Sequence, residues 1–439
     1  MIKAVLSSFS KIDIHTKEVI KKSASSSMVK IIGMVFGLGV SIFLGRTLGP
    51  EGLGIINLSN KIVSLFVILG LLGMNQVLVK NIAIGHSKKN WQLIGNSMFT
   101  AYWINGGLTL ILSLLLIFAA PWIANTIFSD SRLVFPLTIA MIAMVPQVFS
   151  RIFSSGLIGY RKIWQSNLVN QTMSVVIVGI LLFTFWVFNL VITINRVALF
   201  YGMGRLVVTI SMWFYWRKLF HHKQKNNFIA GVLLKTALPL FFVSITNIIT
   251  TSSSPIFLGW LGDAKQVGFF SVAARLALLT SFFLQVTTSA LSPKIAALFA
   301  NGKITELEKM LQKITGGLII IGIVPVIVFV IAGNPILSVW GGEFSSAYWV
   351  LVILSIGQFF NISTGATGIT LMMCGKEKML SKIKILELIS NLLLNYFLIY
   401  YFQAIGAAIA IAFTMALINT IKLLIVKNKL GIKVIKFNR

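Results

Sequence analysis

The chain has 439 residues, 57% of them hydrophobic and only 11% charged, with a mean hydropathy of +0.91. So little polar cover excludes a water-soluble globular domain. The net charge of +28 does not point to nucleic acid either, because no basic segment is interleaved with the aromatics of a single-strand platform.

The first 27 residues are polar, with Lys3, Lys11, Lys17, Lys21 and Lys22 and no apolar core. The first span is therefore read as an uncleaved membrane signal. Apolar runs follow near 28–46, 53–79, 92–119, 133–158, 165–188, 194–216, 232–259, 267–292, 314–333, 347–373, 382–401 and 404–426. Each is about 20 residues or longer, the length that crosses a hydrocarbon core of ~30 Å. They are uninterrupted rather than alternating, which selects helices over a barrel. The sequence thus predicts an all-α integral membrane protein of about twelve transmembrane helices in the lipid bilayer.

Basic residues divide by loop. The termini and every second loop hold most of them, among them Lys80, Lys88, Lys89, Arg161, Lys162, Arg217, Lys218, Lys294, Lys303 and Lys376; the alternate loops hold Arg46, Arg132, Arg196 and Lys265. This asymmetry predicts cytoplasmic amino and carboxy termini. Tryptophans near span ends, such as Trp91, Trp122, Trp260 and Trp340, fit an interfacial belt.

An internal repeat is present. Residues 44–61 read LGRTLGPEGLGIINLSNK and residues 257–275 read FLGWLGDAKQVGFFSVAAR. Leu48-Gly49 aligns with Leu261-Gly262 and, after a one-residue insertion, Gly54 with Gly268, Lys61 with Arg275 and Lys80 with Lys294. Six spans per half make this a parallel repeat of two six-helix bundles, residues 1–222 and 223–439.

Catalytic sets are missing. Of the ten acids, only Glu387 lies inside a span, no acid pair faces across spans, and no phosphate-binding glycine loop occurs. One cysteine, Cys374, excludes a thiolate cluster, and His15, His86, His221 and His222 lie in polar stretches without ligand spacing, so no metal and no other cofactor is expected.

What remains inside the spans is cationic: Lys61, Arg151, Arg205 and Arg275, with Arg46 at the outer end of the first span. A cation at mid-membrane costs several kcal/mol unless it meets water, a counter-ion or a ligand. Lys61 and Arg275 occupy equivalent repeat positions and would face each other across a pseudo-twofold axis. They read either as a lumenal site for an anionic head group or as side chains snorkelling to the interface. Polar stripes lie beside them: Asn57, Lys61 and Ser64; Ser271, Arg275 and Gln285; Ser244, Asn247, Thr251 and Ser254; Gln358, Asn361 and Gly365; Gln147, Arg151 and Ser154. These either line an aqueous cavity or hydrogen-bond between helices. Asn57, Asn247 and Gln358 join the five cations as candidate substrate-binding residues. Glu387, on a face with Asn391 and Asn395, is a candidate coupling-ion site or a partner of Lys384. Gly33 and Gly37 are spaced as a small-xxx-small packing contact.

The segment Leu44-Gly45-Arg46-Thr47-Leu48-Gly49-Pro50-Glu51-Gly52-Leu53-Gly54 resembles the first-loop signature of bacterial polysaccharide and O-antigen (Wzx-type) flippases of the multidrug/oligosaccharidyl-lipid/polysaccharide exporter superfamily. Asn75-Gln76-Val77-Leu78-Val79-Lys80, Gly159-Tyr160-Arg161 and Leu291-Ser292-Pro293-Lys294 are similar to it too. The resemblance implies a V-shaped, two-lobed carrier of the bacterial inner membrane working by alternating access. It implies a substrate of isoprenoid-pyrophosphate-linked oligosaccharide, with a glycan polymerase and a chain-length regulator as candidate partners. Rival readings are a multidrug/cation antiporter of the same superfamily, which should carry acids in its cavity, and a membrane-embedded glycan polymerase, which needs a larger outer loop than any here.

Overall fold

The structure is a computed structural model that describes residues 14–220 and 226–435. The amino-terminal lysines Lys3 and Lys11, His221, His222 and the division between residues 222 and 223 lie outside the described residues.

The described residues form helices and no strand. In chain order these are α1 (Ile14–Leu71), α2 (Met74–Ser87), α3 (Trp91–Trp122), α4 (Val134–Ile142), α5 (Met144–Gly159), α6 (Ile163–Asn167), α7 (Ser174–Val187), α8 (Ile194–Leu219), α9 (Ala230–Leu261), α10 (Ala264–Ala300), α11 (Ile304–Ser338), α12 (Tyr348–Ser363), α13 (Thr367–Met373) and α14 (Glu377–Leu430). Short 3-10 turns, Ser131–Leu133 and Gly342–Ala347, precede α4 and α12.

Among the described residues nine helices are long and apolar enough to cross a membrane. This differs from the twelve spans read in the sequence at three places. The apolar part of α1 covers Met28–Leu71, about 66 Å at 1.5 Å per residue, which is two bilayer cores. It breaks at Gly49, where φ is 68° and ψ −175°. Only glycine takes that conformation cheaply, and Pro50 then opens the second segment with its φ already set. Helix α14 holds two spanning lengths around Gln403 (φ 50°, ψ −129°). Residues 163–187 run through α6, a π-helical stretch Leu168–Met173 and α7 without one long helix.

Residue contacts divide the chain into two compact units. Unit 1 comprises Met1–Val40, Val63–Pro121 and Val134–Ile245; unit 2 comprises Ser41–Ile62, Trp122–Leu133 and Thr246–Arg439.

In unit 1, α5 packs against α2 and α8, and α7 against α8. The span read as continuous from 53 to 79 breaks at Leu72 and Gly73, both with positive φ. Asn105 on α3 donates through Nδ2 to the carbonyls of Gly70 and Leu71 at 2.8 and 2.9 Å. It thus satisfies acceptors that the end of α1 leaves open.

In unit 2, α12 is the central helix, packed by α10, α11 and α14, with Val350, Leu351, Leu354, Ser355, Gln358 and Ile362 buried. Ser253 and Ser254 on α9 donate to Asn391 Oδ1 (2.6 Å) and Asn395 Oδ1 (2.8 Å) on α14. Part of the polar stripe on α9 therefore does hold helices together. Elsewhere large apolar side chains stand outward, such as Ile331 and Phe118 at 79% and 82% exposure, as a lipid-facing surface requires.

Candidate functional site

Within unit 2 the second segment of α1 crosses α10. At Gly54 a Cβ would fall 1.7 Å from the carbonyl oxygen of Ala264; at Gly268 it would fall 2.0 Å from that of Pro50. The backbones touch because neither position carries a side chain. The offset that carries Gly54 onto Gly268 also carries Pro50 onto Ala264, so the crossing is reciprocal, as a repeat-related pair requires.

Lys61 and Arg275 each lie seven residues beyond their crossing glycine, about two turns along the same face. They line one cavity of about 390 Å³. The Arg275 guanidinium is near enough for its charge to act on the Lys61 ammonium. Asn57, Thr251, Ser254, Ser271, Gln358, Glu387 and Asn391 line the same cavity. It is walled within unit 2 by the second segment of α1 and by α9, α10, α12 and α14, with α12 contributing Leu354 and Gln358. Both cations contribute to the cavity wall beside these amides and hydroxyls.

Glu387 is the acid in this wall. Lys384, one turn earlier on α14, holds its Oε2 at 2.8 Å. The lining therefore carries two cations against one carboxylate that has a cationic partner of its own. Such a cavity attracts an anion, and its amide and hydroxyl groups supply hydrogen bonds to oxygen-rich groups.

The other sequence-predicted residues sit elsewhere. Arg151 on α5 and Arg205 on α8 lie in unit 1, where their like charges act on each other and Tyr201 acts on Arg205. Thr209, one turn beyond Arg205, donates to the Pro146 carbonyl at 2.6 Å and so fixes α8 on α5. Arg46 is exposed and its Nε donates to the Val339 carbonyl at 2.8 Å. Asn247 is exposed on α9. None of these four lines the Lys61–Arg275 cavity.

Two features escaped the sequence reading. One is an ion-pair layer at the end of unit 2 that bears Gly49 and Asp263. Glu51 Oε2 accepts from Arg132 at 2.6 Å, while Arg132 also holds Asp130 at 3.0 Å; Lys265 pairs with Glu343 at 2.9 Å. The repeat offset carries Glu51 onto Lys265, so equivalent positions bear opposite charges. The signal lies in the repeat itself, where an acid in the first half meets a lysine at the equivalent position of the second. The other feature is Lys422, inside the last span, which lines a second cavity with Asn361 and Asn419. Its signal was the i, i+3 spacing of Asn419 and Lys422. The single cysteine, Cys374, is buried, and no group of three or more metal-ligating side chains occurs among the described residues.

Comparison with known proteins gives a consistent result. The family described as polysaccharide biosynthesis protein matches residues 19–299. The capsular polysaccharide biosynthesis protein CapF of Staphylococcus aureus is 30% identical over 175 residues, covering 40% of this chain and 44% of CapF. The probable low-salt glycan biosynthesis flippase Agl15 of Haloferax volcanii is 25% identical over 198 residues, covering 43% and 41%. The chain thus spans less than half the length of these two relatives. A putative O-antigen transporter of Shigella flexneri is 24% identical over 396 residues, covering 84% and 88%. Among solved structures, an inward-facing multidrug resistance MATE family transporter of the MOP superfamily superposes with a TM-score of 0.73 at 14% identity, covering 92% of this chain and 98% of that one. The lipid II flippase MurJ in an inward closed conformation gives 0.73 at 16%, covering 93% and 88%. At these identities the likeness concerns the fold alone: an all-α membrane fold of the kind those two proteins have.

Proposed function

The chain belongs to the polysaccharide biosynthesis protein family, and from that premise we propose that it flips isoprenoid-pyrophosphate-linked oligosaccharide from the cytoplasmic to the periplasmic leaflet of a bacterial inner membrane. The product would feed O-antigen, capsule or a related surface polysaccharide. The observation that carries this reading is the convergence of Lys61 and Arg275 on one amide-lined cavity. A pyrophosphate or an acidic sugar offers the charge that two half-buried cations attract.

The step is binding and release, with no bond made or broken. An anionic group enters the cavity and pairs with Lys61 and Arg275. Asn57 and Gln358 donate to its oxygens. Alternating access of the repeat halves, residues 1–222 and 223–439, then exposes it to the other leaflet. On this reading both termini are cytoplasmic, and a polymerase and a chain-length regulator act on the product. Arg151, Arg205, Arg46 and Asn247 would serve other stages of the passage, and Glu387 would exchange a coupling proton when Lys384 releases it.

A multidrug-type cation exporter would carry an excess of acid in this cavity. The ratio here is the reverse, since Glu387 is held by Lys384. Deletion of the gene followed by lipid analysis tests the proposal. Lipid-linked repeat units should accumulate on the cytoplasmic face while surface glycan is lost. Unchanged surface glycan with no such accumulation would contradict it.

A further inference from the structure

Lys422 lies inside the second half of α14, eight residues before its end at Leu430. A lysine there would ordinarily snorkel toward the nearer helix end, where Lys427 and Lys429 already stand. It does the opposite. Its Nζ donates to Asn419 Oδ1 at 3.3 Å, one turn back into the span. Asn419, only 5% exposed, passes its own Nδ2 hydrogen to Asn361 Oδ1 on α12 at 3.2 Å. The donations run one way and end on Asn361, whose own Nδ2 has no acceptor among the described residues.

These three side chains open on a cavity of about 490 Å³, with Gln285, Thr288 and Ser292 of α10 on its other wall. No acid is among its lining residues. Amides, hydroxyls and one ammonium, without a carboxylate, form the donor set that an oxyanion takes.

The position of this cavity gives it meaning. From the Lys61–Arg275 cavity, α10 advances from Arg275 to Thr288, α12 from Gln358 to Asn361, and α14 from Thr414 to Lys422. All three shift toward the carboxy end of their helix. At 1.5 Å per residue the step is roughly 5 Å on α12 and roughly 12 Å on α14. The two cavities are therefore stacked along the same helices. Glu387 bears on both cation groups: it lines the first cavity, and its charge acts on Lys422 in the second. Its tie to Lys384 reduces the repulsion that an anion passing from one cavity to the other would meet.

We propose that the Lys422 cavity is a second binding site, specific for a phosphate or diphosphate group. Its place as the entry station before Lys61 and Arg275 rests on the flippase reading; the binding itself does not.

Titration calorimetry on the purified full-length chain tests it, with inorganic diphosphate as one probe and a short-chain isoprenyl diphosphate as the other. Two sites per chain are expected. Lys422→Gln should weaken one of them at least tenfold and leave the other, and Lys422→Arg should restore it. Asn419→Asp, which sets a carboxylate beside the Lys422 amine without removing it, should act as Lys422→Gln does and stands in for it if that variant does not fold. Loss with both probes assigns the site to the diphosphate group from either source; loss with the isoprenyl compound alone assigns it to a lipid head group. Unchanged binding of both probes by Lys422→Gln and Asn419→Asp would overturn the proposal. Glycan export that is lost in Lys61→Gln and intact in Lys422→Gln, with unchanged binding in the latter, removes this site and leaves the flippase reading standing. Two-site binding that depends on Lys422, in a chain whose deletion leaves surface glycan intact, removes the flippase reading and leaves the site.

Discussion

Gly54 and Gly268 are the two halves of one reciprocal contact: each lies where a Cβ would collide with the carbonyl oxygen at the start of the other's helix, Ala264 for Gly54 and Pro50 for Gly268. This crossing fixes the rotation of both helices. Lys61 and Arg275, each two turns on, are thereby turned into one cavity. The repeat in the sequence is thus a statement about packing first and about charge second.

The crossing predicts an asymmetry among glycine variants. Gly54→Ala and Gly268→Ala force backbone apart from backbone and should each cost about 1–3 kcal/mol or more, as overpacking does. Gly37→Ala should be neutral or slightly stabilising, because nothing lies within 4 Å of its added methyl and alanine is the better helix former. Thermal unfolding of the detergent-solubilised protein separates the two outcomes. In the small-xxx-small spacing of Gly33 and Gly37, the position with no room for a methyl is Gly33, where Thr172 approaches.

The Glu51–Arg132 pair is half exposed on both sides, so solvent screens it and its contribution to stability should stay under about 1 kcal/mol. Its effect should appear in transport. Glu51→Lys sets a like charge toward Lys265, which now feels the carboxylate of Glu51, and toward Arg132. Transport by the variant should change in a salt-dependent manner, and the exchange Glu51→Arg with Arg132→Glu should return it to the original rate. Identical rates in all three proteins at low and high salt would count against a role for this layer.

Cys374 should be chemically quiet. It is 5% exposed, and burial pushes its thiol up to about 11, with Lys376 pulling weakly the other way. The thiolate is the reactive form, so maleimide labelling at neutral pH should be slow, should quicken as pH rises, and should complete on denaturation. Rapid labelling of the native protein at pH 7 would contradict this placement.

The sequence carried the helical class in its run lengths and the cationic pair in its repeat, because both are periodic and local. The helix count was less legible. Gly49 and Gln403 each let one helix run into the next with a single break, and residues 163–187 pass through a π-helical stretch, so run lengths alone do not divide the chain as the backbone does. Of the named site residues, Lys61, Arg275, Asn57, Gln358 and Glu387 line one cavity, while Arg151, Arg205, Arg46 and Asn247 do not. Depth within a span does not reveal rotation about the helix axis; only the repeat did so, and only for the first pair. Lys422 was hidden by its nearness to the basic carboxy terminus, where a lysine reads as an interface anchor.

The most direct test of the account replaces the two repeat-related cations. Purified wild type, Lys61→Gln, Arg275→Gln and the double variant would be reconstituted in vesicles, and transfer of a lipid-linked oligosaccharide between leaflets measured by its accessibility to an added glycan-modifying enzyme. At equal protein level the account predicts at least a tenfold fall in transfer for each single variant and no further fall of similar size in the double, since both cations hold one anionic group. Wild-type transfer rates in the double variant would contradict it.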